Sequence, residues 1–561
     1  MSDLLSELDV LALDCQAGGA TPAHGDLLEI GWTVCGVAAQ GAVESRWVVP
    51  RTKRRVPRAV RELTGWSEAC IAEAIEERTA WAQVREQVQR IRERWAAASV
   101  PTVIHFARFE LTFLRDLHER LGDGEEFPFD AICLHAVAAR LFPDLPRRNI
   151  RALAGYLGHS PELLRRSAGH VEATAFIWRA LLPNLEQAGV RSWSELKRWL
   201  EEPAPSAKRG RRVYPLALER RRSLPDGPGV YRFLRRNGDI MYVGKATSLK
   251  KRVAGHFKAR GPATERGLEL LTQVHDIACT ETASLLEAAL LESDEIKRID
   301  PPYNVQLRTG DRSAWFAARD LSEAVPAPDA AHPIGPLPSQ RALSGLAALI
   351  ALAEGAAPSP RVLSAALAVP GAFTPELALF LEGWRGFAAE HLTSPEPSAS
   401  RRVQDASRAL WLLRGRTELD ASREDAAPDE WDLERVRRRL ERTLVGAGLL
   451  VRRTRWLCLL ADASVVFREP AMSHARALLI EAGTIVEQLD LDAVAFGAAL
   501  PARRPRSWRK RQSVFDAAVY DRMRVLLTEL RRVQDDGGEV LLRVAGHTFF
   551  PDPLRAGMRE V

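Results

Sequence analysis

Apolar and polar positions alternate most regularly in "GVYRFLRRNGDIMYVGKA", Gly229 to Ala246. Two β-prone runs flank Asn237-Gly238, which predicts a hairpin with a two-residue type I′ turn. That register sets Phe233 opposite Tyr242 and Tyr231 opposite Gly244, so Tyr231, Phe233 and Tyr242 share one face. Lys245 then leaves the strand, and the period lengthens to that of a helix in "SLKKRVAGHF", where Leu249, Val253 and Phe257 form the stripe. Arg252 and His256 make a polar row beside it. "TASLLEAALLESDEIKRI" predicts another helix, with Glu292 on the same stripe as Leu285, Ala289 and Ile296. "SWSELKRWLEEP" reads as a helix opened by a capping box of Ser192 and Glu195.

Upstream, "LDVLALD" and "DLLEIGW" read as strands joined by a Gly-rich turn. "PTVIHF" reads as a strand before a helix opened by Glu110. "FDAICLHAVAARLFP", "NIRALAGYLGH" and "AGHVEATAFIWRALLP" read as helices. Downstream, alanine- and leucine-rich helices extend to about Val451. Strand signals follow in "RWLCLLADASVVFRE" and "ARALLIEAGTIVEQ", then a helix in "VFDAAVYDRMRVLLTELRRV" and a strand in "EVLLRVAG". "AVPAPDAAHPIGPLPSQ" reads as a loop.

The chain of 561 residues is too long for one core. The fold class expected is α/β multidomain: residues 1–190, a helix and basic linker over 191–222, a small α/β unit over 223–315, and a helical and α+β region over 325–561. Hydrophobic residues make up 46% and charged residues 27%, as in ordinary soluble domains. No apolar run reaches membrane-spanning length, and the first residues lack a signal-peptide layout. The six cysteines show no C-x-x-C pair, which argues against a zinc module and for a reducing, cytoplasmic setting. The net charge of +6 permits a phosphate-rich partner without requiring one. "ARRPRSWRKRQ" is a basic run that fits either a solvated loop or a nucleic-acid contact.

Phenols, basic side chains and an inward carboxylate together are the parts of a phosphodiester-cleaving site, since a buried carboxylate requires a cation. Each of these residues alone also fits a small domain with stacked tyrosines and a buried ion pair. As a set, in the order "LPDGPGVY", "YVGKATSLKKRV", "EAALLESDEIK" and "PPYNVQL", they resemble the GIY-YIG nucleases, the nicking domain of UvrC-type repair proteins in particular. The resemblance implies that Glu292 binds one Mg²⁺ or Mn²⁺. It implies that Tyr231 or Tyr242 activates the attacking water while the other orders it. Arg252 and Lys245 would stabilise charge on the phosphate, His256 would contact phosphate or move a proton, and Asn304 would support the site. Lys245, Lys250, Lys251 and Arg252 are the expected DNA-binding residues.

The N-terminal pattern resembles the DnaQ-like exonucleases, which have an RNase H-like fold and hold two metal ions with four carboxylates and a histidine base. Asp14 and Glu110 match ligand positions. Gln16 and His170 stand where the family has acids, Arg165 stands at the histidine, and Glu172 is out of register. The resemblance therefore implies a degenerate site, with the fold kept for DNA binding or architecture. Three readings result: a DNA-nicking repair endonuclease, a 3′–5′ exonuclease with accessory nicking, and a non-catalytic DNA-binding adaptor. DNA is the partner expected in all three. Other repair proteins would be compatible with them, and no UvrB-binding segment is evident.

Overall fold

The computed structural model describes residues 3–549 apart from 37–40, 53, 96–98, 161–163, 204–211, 259–263, 306–313, 394, 415–429, 492–506 and 545–546. Most of the tether after residue 203 and of the basic run before Ser507 thus lies outside the described residues. The chain forms two compact units: Met1–Gly227, Tyr231–Gly244 and Ser248–Thr280 in the first, and Pro228–Val230, Lys245–Thr247 and Glu281–Val561 in the second.

The first unit is organised by β1 (Val10–Ala17), buried nearly end to end because it is the middle strand. It pairs antiparallel with β2 (Leu27–Cys35), which pairs antiparallel with β3 (Glu44–Trp47). On its other side it runs parallel to β4 (Val100–Ile104), itself parallel to β5 (Phe129–Cys133). The order β3-β2-β1-β4-β5, a meander followed by two parallel strands, is that of the RNase H-like fold. Around it lie α1 (Arg58–Thr64), α2 (Glu77–Trp95), α3 (Ala107–Leu121), α4 (Leu134–Leu141), α5 (Ile150–Leu157), α6 (Ser167–Gln187) and α7 (Trp193–Glu201). The capping box of α7 forms as expected. "FDAIC" is a strand rather than the start of a helix: Val100–Ile104 offers it a parallel ladder, which outweighs the helical reading of a short apolar run.

The hairpin strands β6 (Gly229–Leu234) and β7 (Ile240–Ala246) join β8 (Asp276–Glu281) in the order β7-β6-β8. Helices α8 (Leu218–Arg222), α9 (Leu249–His256) and α10 (Glu265–Gln273) complete the central part of the first unit. There Asn149, which caps α5, also donates to Glu269 of α10 at 2.7 Å.

The second unit opens with α11 (Leu285–Ile299). The sequence read as a loop holds β10 (Ala324–Val325) and β11 (Ile334–Leu337), which pair with β9 (Trp315–Ala317). Helices α12 (Ser344–Ala353), α13 (Pro360–Leu367), α14 (Leu377–His391), α15 (Ala399–Arg414) and α16 (Leu433–Leu460) follow. "RWLCLL" belongs to α16, not to a strand; its apolar run is the buried end of a helix. The last layer is an antiparallel sheet in the order β14-β13-β12-β15-β16: β12 (Ala463–Arg468), β13 (Ala475–Glu481), β14 (Thr484–Leu491), β15 (Glu539–Val544) and β16 (His547–Phe549). With it go α17 (Trp508–Gln512) and α18 (Ala517–Asp535). Leu286 and Leu290 of α11 share one core with Met523, Leu526 and Leu527 of α18. No helix among the described residues is long and apolar enough to cross a membrane.

Candidate active site

The hairpin turn differs from the expected one. Gly238 N–H donates to the Arg235 carbonyl and Arg235 N–H to the Asp239 carbonyl, and Gly238 alone in the loop has a positive φ, 90°. This is a three-residue loop with a type I turn and a left-handed glycine, since type I′ would need positive φ at Asn237 as well. Arg236 is spared a strand position, and the Asn237 amide donates to Asp239 at 2.9 Å.

The three aromatic rings come together although the pairing beside the turn is not the expected one. The Tyr231 and Tyr242 rings lie 6.0 Å apart, with Phe233 5.2 Å from Tyr231 and 5.9 Å from Tyr242. Tyr231 is fully buried, and its hydroxyl is 2.7 Å from Nε2 of His256, the last residue of α9. Burial, then the neighbouring Tyr242, raises the Tyr231 phenol, while Arg252 opposes the shift. Burial, helped by the Arg252 charge, lowers His256 to about 4. At neutral pH the pair is therefore a neutral phenol beside a neutral imidazole, whose unprotonated nitrogen can accept the phenolic proton. The Arg252 guanidinium is raised, chiefly by Tyr231. Lys250, Lys251 and Arg252 are exposed on α9.

The His256 shift has a measurable consequence. The unfolded imidazole protonates near 6.5 and the folded one near 4, so its stabilising contribution is full above pH 6.5 and lost as pH falls through that window. The loss is about 3 kcal/mol at most. The stability advantage of wild type over His256→Leu, from denaturant midpoints, should shrink between pH 6.5 and 4. A gap independent of pH would contradict the shift.

In the second unit, α11 starts at a Ser284 cap whose hydroxyl accepts from Glu287 N–H, and ends at Asp300 with φ 46°. Glu292 is half-buried rather than fully inward; the buried carboxylates of this helix are Glu287 and Glu295. Glu292 Oε1 accepts the Lys245 main-chain N–H at 3.0 Å. Lys245 lies within β7 rather than beyond it, and its ammonium pairs with Glu529 of α18. Asn304 is buried just after α11, in a turn closed by its N–H on the Pro301 carbonyl.

Sequence reasoning missed the ties between α11 and the C-terminal region. Lys297 pairs with buried Asp521 at 3.0 Å, Asp294 with Arg522 at 3.1 Å and Glu287 with Arg476 at 2.7 Å. Glu469 accepts from Leu285 and Leu286 N–H, as a carboxylate does at a helix N-terminus. Glu390, His391 and Glu441 also come together, with one ligand-type atom each within 4.8 Å of the others. Arg437 takes Glu390, and His391 shares Glu441 at 3.1 Å, so these charges answer one another.

In the RNase H-like sheet, Asp14 sits on β1 and Glu110 in the first turn of α3, both buried. His170 Nδ1 is 3.1 Å from Asp14 Oδ1, and the Gln16 amide donates to Asp14 Oδ2 at 3.3 Å. Burial disfavours the His170 cation, yet the charge and hydrogen bond of Asp14 hold it above the ordinary histidine value. Burial, then Asp14 and Cys133, pushes the Glu110 carboxyl well up. Arg165 and Glu172 are exposed; Arg166 is the arginine that engages buried Glu29, at 2.6 Å. This set does not fit two divalent ions: His170 Nδ1 already occupies Asp14 Oδ1 at 3.1 Å, and Gln16, whose amide donates to the other oxygen, brings no charge.

Residues 227–305 match the UvrC-like GIY-YIG domain, so the chain carries a domain of that family in its centre, behind an RNase H-like fold. A Mycobacterium tuberculosis protein whose name proposes a bifunctional exonuclease/endonuclease is 27% identical over 366 residues, 63% of this chain and 53% of that protein. The UvrABC system protein C of Methylococcus capsulatus is 48% identical over 86 residues, 15% of this chain and 14% of its own. The chain thus spans about half of the first relative and a small part of the second. Among solved structures, the magnesium-bound GIY-YIG N-terminal endonuclease domain of UvrC from Thermotoga maritima is 30% identical. It covers 16% of this chain and 93% of that one, with a TM-score of 0.14. E. coli exonuclease I in complex with a dA16 oligonucleotide is 14% identical over 40% of this chain and 48% of that one, with a TM-score of 0.27.

Proposed function

We propose that the chain is a divalent-metal-dependent DNA endonuclease that nicks one strand of structured or damaged DNA in repair. The observation that carries the reading is the family match over 227–305, which takes in Tyr231, Tyr242, Lys245, Arg252, His256, Glu292 and Asn304 together. Glu292 fits a Mg²⁺ or Mn²⁺ ion: it is a hard oxygen donor, half-buried, on a helix tied down along its length. Such an ion, when bound, polarises the scissile phosphate.

The chain's own groups do the rest. Tyr231, held against His256, accepts a proton from the attacking water as its own passes to Nε2, and Tyr242 orders that water. Arg252 and Lys245 neutralise charge developing on the phosphate. Exposed Lys250, Lys251 and Arg252 follow the DNA backbone. The RNase H-like domain binds DNA or holds the architecture, since Gln16 and His170 stand where a two-metal centre needs carboxylates.

The test is incubation with supercoiled plasmid and with end-labelled nicked, flapped, branched and lesion-bearing duplexes, in Mg²⁺ or Mn²⁺. Internal nicking that stops with chelator is expected, at an unchanged rate in Asp14→Ala. Stepwise shortening lost in Asp14→Ala would make the exonuclease fold the working enzyme. Binding without cleavage in every lane would make the chain an adaptor.

A further inference from the structure

The ammonium of Lys245 ends a long, flexible stem, and such a group binds phosphate well only if its freedom has already been lost. Glu529 removes that freedom. Its side chain is 7% exposed, and besides Lys245 it accepts from Arg532 Nε at 2.6 Å. A carboxylate so desolvated holds its cations firmly, because separation would leave it uncompensated.

The placement of Glu529 is fixed by helix geometry. Asp521 and Arg522, which grip Lys297 and Asp294 of α11, precede it by about two turns on the same side of α18. Arg532, one turn further, reaches Glu469 at 3.1 Å, and Glu469 caps α11. Lys245 is therefore tied to α11 at both ends. Its main-chain N–H reaches Glu292 directly, and its ammonium reaches the start of the same helix through Glu529, Arg532 and Glu469.

We propose that Glu529 is a positioning residue of the nuclease site, supplied by the C-terminal region. It holds one N–H of the Lys245 ammonium and leaves the other two for phosphate oxygens. The proposal rests on the endonuclease reading, and it makes the C-terminal sheet and α18 part of the working nuclease.

The experiment is single-turnover nicking of labelled duplex in Mg²⁺ by the full chain as wild type, E529A, E529Q, K245A and K245A/E529A, with E292Q alongside. Nicking by wild type that E292Q abolishes establishes the underlying reading by itself; its absence sinks that reading first. Given that nicking, E529A should lower the maximal rate about tenfold with KM nearly unchanged, since it loosens a group already within reach. E529Q, which keeps an acceptor, should recover part of the rate. E529A should cost nothing more in the K245A background, which a general loss of folding could not produce. An equal loss in both backgrounds, no loss, or a gain in rate overturns the proposal; a gain would mean that Glu529 competes with phosphate.

Discussion

Glu292→Gln should reduce nicking by about 10³-fold, or about 4 kcal/mol of transition-state stabilisation, while leaving the fold intact. Glutamine has almost the same volume and keeps a carbonyl oxygen that can accept the Lys245 N–H, so the 3.0 Å link from Lys245 to α11 within the second unit survives. What disappears is the negative charge, and with it the means of holding a divalent ion at the scissile phosphate. The measurement is the single-turnover rate across a Mg²⁺ titration, beside circular dichroism of both proteins. A variant that saturates at the wild-type rate with more Mg²⁺ would show that Glu292 only tunes affinity. One that cleaves within tenfold of wild type at all concentrations would remove Glu292 from the chemistry.

The parts of this site written locally were legible in the residues. The hairpin, α9 and α11 each follow from period, turn and capping signals a few residues apart, and His256 meets Tyr231 as a helix row beside a hairpin face allows. The turn type was not legible, because Asn-Gly suits both a two-residue loop and a three-residue loop with a left-handed glycine. Strand and helix were confused in "FDAIC" and "RWLCLL", short apolar runs that periodicity cannot resolve.

The larger gap concerns charge. Lys245 and Glu529 are 284 residues apart, and Glu287 and Arg476 are 189 apart. An ion pair imposes no period on either segment, so nothing in one foretells the other. The Asp14–His170 pair, 156 apart, has no local signal either; resemblance sets His170 where an acid belongs but does not foretell its contact with Asp14. The structure adds that the imidazole substituted there sits against Asp14, Nδ1 to Oδ1 at 3.1 Å.

Gly244→Ala should destabilise the protein by about 1–3 kcal/mol, as overpacking of a tight interior does, and slow nicking by about 10²-fold. The backbone at Gly244 is ordinary; what the position lacks is room. An added Cβ would stand 2.6 Å from the Tyr231 hydroxyl and 2.8 Å from Cε1 of Tyr242, distances at which one of the rings must move. Tyr231 has little freedom to do so, being fully buried against Phe233 and bonded to His256. The methyl therefore acts by breaking the 2.7 Å contact between phenol and imidazole, or by turning Tyr242 outward. These outcomes separate in the activity of double variants. If the added methyl works through the phenol–imidazole contact, Gly244→Ala should add little to the defect of His256→Leu. If it works through Tyr242, the defect should instead merge with that of Tyr242→Phe. A Gly244→Ala protein with wild-type rate and wild-type unfolding midpoint would show that the two rings are not packed as closely as their positions require, and the water-activating role assigned to Tyr231 would fall with it.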